Sequence, residues 1–469
     1  MAPQPPLSQR VMRRKPMDAR EAGPLHRTLG TWQLTAMSLG ALVGAGVFSL
    51  SGTVAHDLAG PGVVISFLIA IIASGASALC YAEFTSLIPR AGSAYTYAYA
   101  VLGELVGWII GWDLLLEYTA IVAVVAIGVS GYFGYLIQAL GLHPPVWMMG
   151  APGTGTGHRV DVFAAALCLL LAWLLNRGAK SSARVETALV AVKIAIIAIV
   201  VAAGAFHIQA GNYSPFLPMG FGGAVTGAAT AFFAVYGYDA MSAAAEEARD
   251  PQRSVPRAIL YSLGIAAVIY TLVTIVLLGM QDYTRIDPAS PFSAALASVG
   301  LPSLGIIVAV GAIFGIVTSA FTNMLAVTRV WYAMSGDGLL PRWFARTHPT
   351  RQVPHRITWI VGVVSAAIAG LLPIKEAADL TNIGILTAFI IVAIAVTVLR
   401  YRRPDLPRGF RTPWVPVVPA VGVAFSAWLI SQLDLITYVR FAAWLVIGLV
   451  VYALYGLRRS KLGRDGPTA

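Results

Sequence analysis

The amino-acid sequence predicts an all-α integral membrane protein with 12 transmembrane helices, in which helices 1–5 and 6–10 form a 5+5 inverted repeat. Three observations predict this fold class. Hydrophobic residues make up 58% of the 469 residues and charged residues only 11%, whereas soluble domains carry about 25% charged residues. Lys and Arg are dense in every second loop. Two apolar stretches are interrupted by glycine, near Gly44 and near Gly237, which predicts that helices 1 and 6 are discontinuous.

The hydropathy of the chain defines the individual helices. A bilayer-spanning helix needs about 20 apolar residues, and the stretches of this length cover 31–55, 61–88, 97–138, 160–176, 185–206, 221–247, 257–280, 303–335, 357–373, 380–400, 414–434 and 440–457. The third and eighth stretches are the longest. Their excess length requires tilt, a break or an extension into the membrane interface.

The distribution of positive charge predicts the orientation in the membrane. With the N-terminus inside, 26 of the 32 Lys and Arg residues fall on the inner side, and the outer loops hold only Arg159, Arg285, Lys375 and Arg440. The positive-inside rule then places both termini in the cytoplasm and the protein in the cell (cytoplasmic) membrane. The net charge of +11 is explained by this topology and by contact with anionic lipid, so it does not indicate nucleic-acid binding.

The spacing of the two glycine breaks predicts the internal organisation. Gly44 and Gly237 are 193 positions apart, the length of five spans with their loops. The predicted parts are a cytoplasmic N-terminal tail (1–30), a first five-helix repeat (31–206), a second, inverted repeat (221–400), helices 11 and 12 (401–457) and a cytoplasmic C-terminal tail (458–469). Because five is odd, helix 1 runs outward and helix 6 inward, and their broken centres face each other near the midplane.

The two broken centres are the predicted substrate site. Glycine lets the backbone leave helical geometry; the N–H groups that begin the next half-helix suit a carboxylate, and the carbonyls that end the previous one suit an ammonium. This combination fits a zwitterionic α-amino acid. The alternative for each segment is close helix packing through small residues. The predicted substrate-binding residues are Leu42, Val43, Gly44, Ala45, Gly46, Phe233, Tyr236, Asn323 and Met324.

Lys193 is predicted to couple transport to protons. It lies eight residues into helix 5, about 12 Å along the helix, too deep for its ammonium to reach water easily. An ionisable side chain at membrane depth is a functional hypothesis by default. A lysine that binds and releases a proton during the cycle would link transport to the proton gradient. The alternative is a permanently charged, structural lysine bonded to backbone carbonyls of helix 1.

Acidic residues near the breaks are the remaining candidates. Asp113 and Glu117 share a face of helix 3, one turn apart; Glu117 is predicted to face the pocket or to act in gating, with an interhelical hydrogen bond as the alternative, and Asp113 to make a structural polar contact. Asp239, just past the helix 6 break, is predicted to bond freed backbone groups or to act in gating. Arg329 is predicted to seal the inner mouth by pairing with Glu83.

Several function classes do not fit the sequence. The seven His are scattered without ligand spacing, and Cys80 and Cys168 fall within predicted helices, so neither a metal site, a cofactor nor a disulfide is expected. Nucleophile and base residues do not occur together at one depth, which argues against an enzyme. The chain also has no large extra soluble domain to indicate a sensor, and the occluded midplane site argues against a channel.

Motifs along the chain add a family resemblance. They are Gly-x-Gly-Val-Phe at 44–48, Gly-Trp-Asp at 111–113, Leu-Glu-Tyr at 116–118, Lys193, Phe-Phe-Ala-Val-Tyr-Gly-Tyr-Asp at 232–239, Ala-Glu-Glu at 245–247, Asp-Pro-Gln-Arg at 250–253, Tyr-Ala-Met-Ser at 332–335, Asp-Gly-Leu-Leu-Pro at 337–341 and Thr-Asn-Ile-Gly at 381–384. With them the chain resembles the amino acid–polyamine–organocation (APC) superfamily of permeases, most of all the bacterial relatives of the cationic amino acid transporters. The resemblance covers nearly the whole chain. It implies the LeuT-type fold, sodium-independent uptake and, for relatives with the helix 5 lysine, proton coupling.

Together these observations predict a proton-coupled, sodium-independent amino acid permease that imports α-amino acids by alternating access. The alternative is an exchanger of amino acids or polyamines without net proton coupling. The expected partners are the amino acid, protons and membrane lipid. The sequence leaves open whether the preferred amino acid is neutral or cationic, and whether a small accessory membrane subunit or an oligomer forms.

Overall fold

The computed structural model describes residues 11–15, 29–87, 93–178, 183–238, 248–341, 343–344, 346 and 354–464. These residues are mostly helical, with two isolated β-bridges, Leu29–Ala248 and Met149–Asp161. Seven helical stretches among them are long and apolar enough to cross a membrane, and four shorter apolar helices accompany them. The all-helical membrane protein predicted from the sequence is therefore confirmed at this level.

The first half of the chain contains seven helical segments, and glycine occurs at two of the tight turns between them. Gly60 (φ +57°) lies between the second and third segments, and Gly103 (φ +110°) between the fourth and fifth; residues with a side chain rarely adopt these backbone angles. The segments are α1 (Thr31–Leu42), α2 (46–59), α3 (Val63–Leu87), α4 (Ser93–Val101), α5 (Glu104–Ala139), α6 (Val162–Asn176) and α7 (Ala183–Ala205).

The second half repeats the pattern of long helices and short turns. Three of its helices begin with a proline, which suits the first turn of a helix because the N–H that it lacks would have no partner there. The segments are α8 (Gly220–Val235), α9 (Pro251–Met280), α10 (Pro291–Ser298), α11 (Pro302–Gly336), α12 (His355–Leu371), α13 (Ile374–Arg402), α14 (Val417–Ile430), α15 (Leu435–Arg459) and α16 (Lys461–Arg464).

The helices differ from the predicted spans mainly where glycine intervenes. The predicted span 31–55 is divided into α1 and α2, and the predicted span 97–138 into α4 and α5. The predicted span 221–247 contains α8, which ends at Val235, while residues 239–247 lie outside the described part of the chain. The inverted-repeat relation of the two halves stays a prediction.

The long helix α5 is the centre of one group of packed helices. It contacts α4, α6, α11, α12 and α13 along its length, whereas α1, α3, α8 and α9 pack on one another in a second group. The two described ends of the chain lie on the same side of the molecule, because Lys15 and Lys461 both contact Asp337 at the end of α11. We call this side the chain-end side. The breaks in α1 and α8 lie where the two groups meet.

Candidate functional site

The break after α1 is a short interruption of the helix, at residues 43–45. The backbone leaves helical geometry at Val43 (φ −81°, ψ 84°). The Gly44 carbonyl then accepts hydrogen bonds from the amides of Val47 (3.2 Å) and Phe48 (3.1 Å), which start the next helical turn. Amides at the start of a helix lack an intrahelical acceptor. The segment 45–46 therefore presents N–H groups and the positive end of the α2 dipole.

The break after α8 depends on one glycine. Tyr236 is extended (φ −92°, ψ 161°), and Gly237 has a φ of +136°. A Cβ on Gly237 would lie 3.2 Å from the backbone of Ala41 and of Leu42. Both the backbone angle and the close approach to α1 thus require glycine at this position.

The two breaks are packed against each other. A Cβ on Gly46 would overlap the Cα and Cβ atoms of Ala234, so the start of α2 and the end of α8 touch backbone to backbone. The hydroxyl of Tyr270, on α9, lies 2.8 Å from the Leu42 carbonyl and also within hydrogen-bond distance of the Ala234 carbonyl. One buried hydroxyl therefore connects the carbonyl ends of both broken helices.

A cavity of about 20 Å³ lies between the breaks. Walls from α5 and α11 complete it, and its lining comprises Ala41, Leu42, Gly44, Ala45, Gly46, Ile121, Val125, Phe233, Tyr236, Gly237, Ser319 and Asn323. This volume holds about one water molecule. To admit a solute as large as an amino acid, the residues that line the cavity must move apart.

Most of the predicted binding residues come together here. Of the nine, Leu42, Gly44, Ala45, Gly46, Phe233, Tyr236 and Asn323 line the cavity. Val43 and Met324 are fully buried but do not line it. The sequence reasoning missed Ala41, Ile121, Val125 and Ser319. For Ser319, one helical turn before Asn323 on α11, this one-turn spacing was the available signal. The Asn323 amide donates to the Ser319 carbonyl (2.8 Å).

Lys193 is joined to the cavity through Ser319. The side chain is 1% exposed, and its ammonium donates to the Gly40 carbonyl of α1 (2.7 Å) and to the Ser319 hydroxyl (3.0 Å). Its methylene chain lies against Gly315, where a Cβ would be 2.8 Å from Cγ. The bond to a helix 1 carbonyl is the contact that the structural alternative anticipated. The bond to Ser319 places the same ammonium one hydrogen bond from the cavity.

The acidic candidates fall on the chain-end side of the cavity. Glu117 is buried and does not line the cavity; it lies one turn before Ile121, which does. The structural polar contact predicted for Asp113 is wrong: the side chain is buried, and among the described residues no donor reaches either carboxyl oxygen. Asp239 lies outside the described residues.

The predicted pair of Arg329 and Glu83 is also wrong. Arg329 is exposed, and the Glu83 carboxylate instead bonds Arg400 (2.6 Å) and Arg408 (3.0 Å). The Thr412 amide donates to the same carboxylate (2.8 Å). The end of α13 and the loop that follows it thus supply the partners of Glu83. The spacing of charges in the sequence does not reveal these long-range contacts.

A larger vestibule of about 550 Å³ opens on the side away from the chain ends. It is bounded by Ser49 near the start of α2, the C-terminal part of α5 and the loops before α6, α10 and α13. At its floor, a Cβ on Gly128 would lie 2.8 Å from the Ser49 hydroxyl and 3.3 Å from the Cβ of Ala45. Because Ala45 also lines the small cavity, a single layer of side chains separates the two spaces.

The chain-end side is held together at Asp337. Its carboxylate pairs with Lys15 (2.9 Å) and accepts a hydrogen bond from Tyr95 (2.7 Å), and its backbone carbonyl accepts the amide of Lys461 (3.0 Å). Segments from both ends of the chain and from α4 therefore converge at the end of α11. Opening on this side requires these bonds to break.

The Tyr270 hydroxyl provides a direct test of this geometry. Tyr270→Phe is expected to weaken substrate binding by about tenfold, because an unsatisfied buried carbonyl costs about 1–3 kcal/mol and the two breaks lose their shared donor. Tyr213→Phe is the matched control, since its hydroxyl donates to the Ile275 carbonyl far from the cavity. Binding of labelled substrate to purified protein measures both. Equal affinities in the two variants would contradict a role for Tyr270 at the site.

The sequence model of the amino acid permease family matches residues 29–454, and so includes both breaks, Lys193 and the walls of the cavity. The chain belongs to the amino acid permease family. It is therefore a multi-pass membrane transporter and not an enzyme. The APC resemblance read from the motifs is confirmed.

Similar proteins show the range of solutes within this family. The permease is 42% identical to the branched-chain amino acid permease BcaP of Bacillus subtilis over 94% of the chain and 95% of the relative. It is 41% identical to the methylthioribose transporter of the same organism, over 97% of the chain and 99% of that protein. It is 35% identical to the vacuolar cationic amino acid transporter 4 of Arabidopsis thaliana, over 84% of the chain and 68% of the relative.

Proposed function

We propose that this permease is a proton-coupled, sodium-independent symporter that imports α-amino acids across the cytoplasmic membrane by alternating access. The observation that carries the proposal is the packing of two broken helices around one cavity, with Lys193 a single hydrogen bond away through Ser319. In this arrangement α1, α2 and α8 would belong to a LeuT-type fold of 12 spans.

The backbone at the breaks would recognise the groups that all α-amino acids share. The amides at the start of α2 are suited to the carboxylate, and the carbonyls at the ends of α1 and α8 to the ammonium. The side chain would then meet Ile121, Val125 and Phe233, which line the cavity. Because no described charged side chain lines that cavity, we propose neutral amino acids of small to medium size as the preferred substrates.

Lys193 would couple binding to proton movement. Its ammonium bonds a helix 1 carbonyl and a serine hydroxyl at once. Loss of its proton would remove the positive charge and one of the three N–H donors, which would weaken the bonds to Gly40 and Ser319, loosen α1 against α11 and change the wall of the cavity at Ser319. In this way protonation would favour one arrangement of the broken helices over the other.

The orientation follows from the charge distribution. The two described ends of the chain share one side, and the positive-inside rule assigns that side to the cytoplasm. The vestibule would then face outward and the Asp337 contacts would close the inner side. Substrate would enter through the vestibule and pass the layer formed by Ser49 and Gly128.

Uptake by purified protein in liposomes tests the proposal. A panel of labelled amino acids is offered with an inward proton gradient and no sodium. Methylthioribose is included because one similar protein is named a methylthioribose transporter. We expect accumulation of neutral amino acids, about tenfold per coupled proton for each pH unit of gradient. Uptake that is independent of the proton gradient and requires an amino acid inside the liposomes would establish exchange instead of symport. Accumulation of methylthioribose alone would overturn the substrate class.

A further inference from the structure

Asp113 has an unusual environment for a carboxyl group. It lies in the span of α5, is 0% exposed, and neither oxygen has a hydrogen-bond partner among the residues that the structure describes. An ionised carboxylate with no donor is strongly disfavoured in such an interior. The group is therefore expected to carry a proton in this arrangement of the helices.

The carboxyl fits because α13 has a glycine opposite it. A Cβ on Gly384 would lie 2.7 Å from Oδ1 of Asp113 and 3.4 Å from Cγ. The acid is thus enclosed at the interface between α5 and α13, and its enclosure depends on these two helices staying in contact. Any movement of α13 away from α5 would expose the carboxyl.

The position of Asp113 along α5 relates it to the substrate cavity. Ile121, which lines the cavity, is two turns away, about 12 Å along the helix. Glu117, also buried, lies between them. Two buried acids are therefore aligned between the cavity and the chain-end side.

The following charged and titratable groups on the helices packed on α5 have other contacts or are exposed. On α4, Tyr95 bonds Asp337 and Tyr99 bonds Glu104. On α13, Arg400 pairs with Glu83, and Asp379 bonds Lys375 and Thr230. Glu376 of α13 pairs with Arg440 of α15. Arg356 of α12 lies over the Trp343 ring. Arg329 and Tyr332 of α11 point out of the bundle, as do Tyr401 and Arg402 of α13. Glu117 on α5 itself is the titratable neighbour one turn away.

We propose that Asp113 is a proton-binding residue of the transport cycle, which releases its proton to the chain-end side when the contact between α5 and α13 opens to water. The carboxyl then becomes a carboxylate, and it takes up a proton again before the contact closes. No other group is consumed in this step. The proposal rests on the proton coupling proposed above and extends it by a second residue and an exit route.

The test uses the full-length protein in liposomes. Asp113→Asn keeps the shape of the protonated acid but cannot release a proton. Under an inward gradient of one pH unit, we expect the roughly tenfold accumulation per proton to fall to equilibration, with a much smaller change in exchange of labelled for unlabelled substrate. Asp405→Asn is the matched control, because that carboxylate is largely exposed on a loop. Accumulation by Asp113→Asn equal to that of the control would overturn the proposal.

Infrared spectroscopy decides the point even if the parent protein does not accumulate substrate. A protonated carboxyl gives a C=O band distinct from that of a carboxylate. We expect one such band in the parent protein to disappear in Asp113→Asn and to decrease in the parent as pH rises. Gly384→Ala crowds the carboxyl without removing it and should shift the band. This variant replaces Asp113→Asn in the test if Asp113→Asn does not fold. An unchanged band in these variants, or one independent of pH, would overturn the proposal whatever the transport result.

Discussion

Gly46→Ala is expected to reduce uptake strongly, although it adds a single methyl group. That methyl would overlap the Cα and Cβ atoms of Ala234, and backbone at a helix crossing cannot swing aside as a flexible side chain does. Overpacking of this kind costs about 1–3 kcal/mol, and each 1.4 kcal/mol corresponds to about tenfold in a binding equilibrium. Substrate affinity should therefore fall by about tenfold or more.

Gly264→Ala is the matched control for this prediction. It lies inside α9, and a Cβ there meets no atom within 4 Å, so the substitution is expected to be neutral or slightly stabilising. Labelled-substrate binding and uptake should be measured for both variants, together with thermal stability. Uptake by Gly46→Ala at the level of Gly264→Ala would show that α2 and α8 do not need to touch for transport.

Lys193→Ala is expected to remove accumulation driven by the proton gradient. The substitution deletes the donor to the Gly40 carbonyl and to Ser319. The Ser319 hydroxyl also lies 3.1 Å from that carbonyl, so the carbonyl keeps a donor and the helices are expected to stay packed. Under an inward gradient of one pH unit, the loss should be about tenfold for each coupled proton.

The comparison with exchange separates the two roles considered for Lys193. If the residue couples protons, exchange of labelled for unlabelled substrate should persist in Lys193→Ala while accumulation disappears. If it is only structural, exchange, accumulation and thermal stability should fall together. Gly315→Ala leaves the ammonium in place but crowds the Cγ atom of Lys193. We expect this variant to lose part of the accumulation driven by the proton gradient.

The sequence was sufficient for features that are local to one segment. The helix breaks at Gly44 and Gly237 could be predicted because glycine-interrupted apolar spans in corresponding halves of a chain are typical of transporter binding sites. Most of the correctly predicted cavity residues are neighbours of those glycines in the chain, and Asn323, on α11, follows from its depth in the predicted helix. Ile121, Val125 and Ser319 line the cavity from other helices, and the glycine pattern does not reveal them.

Contacts between distant helices could not be predicted in the same way. Tyr270 lies in an ordinary apolar stretch of α9, and only packing brings its hydroxyl to the carbonyls of Leu42 and Ala234. The same limitation explains the wrong pairing for Glu83, whose partners lie over 300 positions later in the chain. It also explains Asp113, which was expected to have a polar partner and instead faces Gly384.

The vestibule has a consequence for the solutes that reach the site at all. Its described lining includes the carboxyl groups of Asp161 and Asp287 and the imidazole of His158, but no Lys or Arg side chain. A concave surface of one charge sign concentrates ions of the other sign and raises their rate of arrival, an effect that salt weakens. In the proposed route of entry, these carboxyl groups would enrich cationic solutes and protons ahead of the site and disfavour anionic ones. Discrimination by charge would then begin during diffusion into the protein, and discrimination by shape would follow in the cavity.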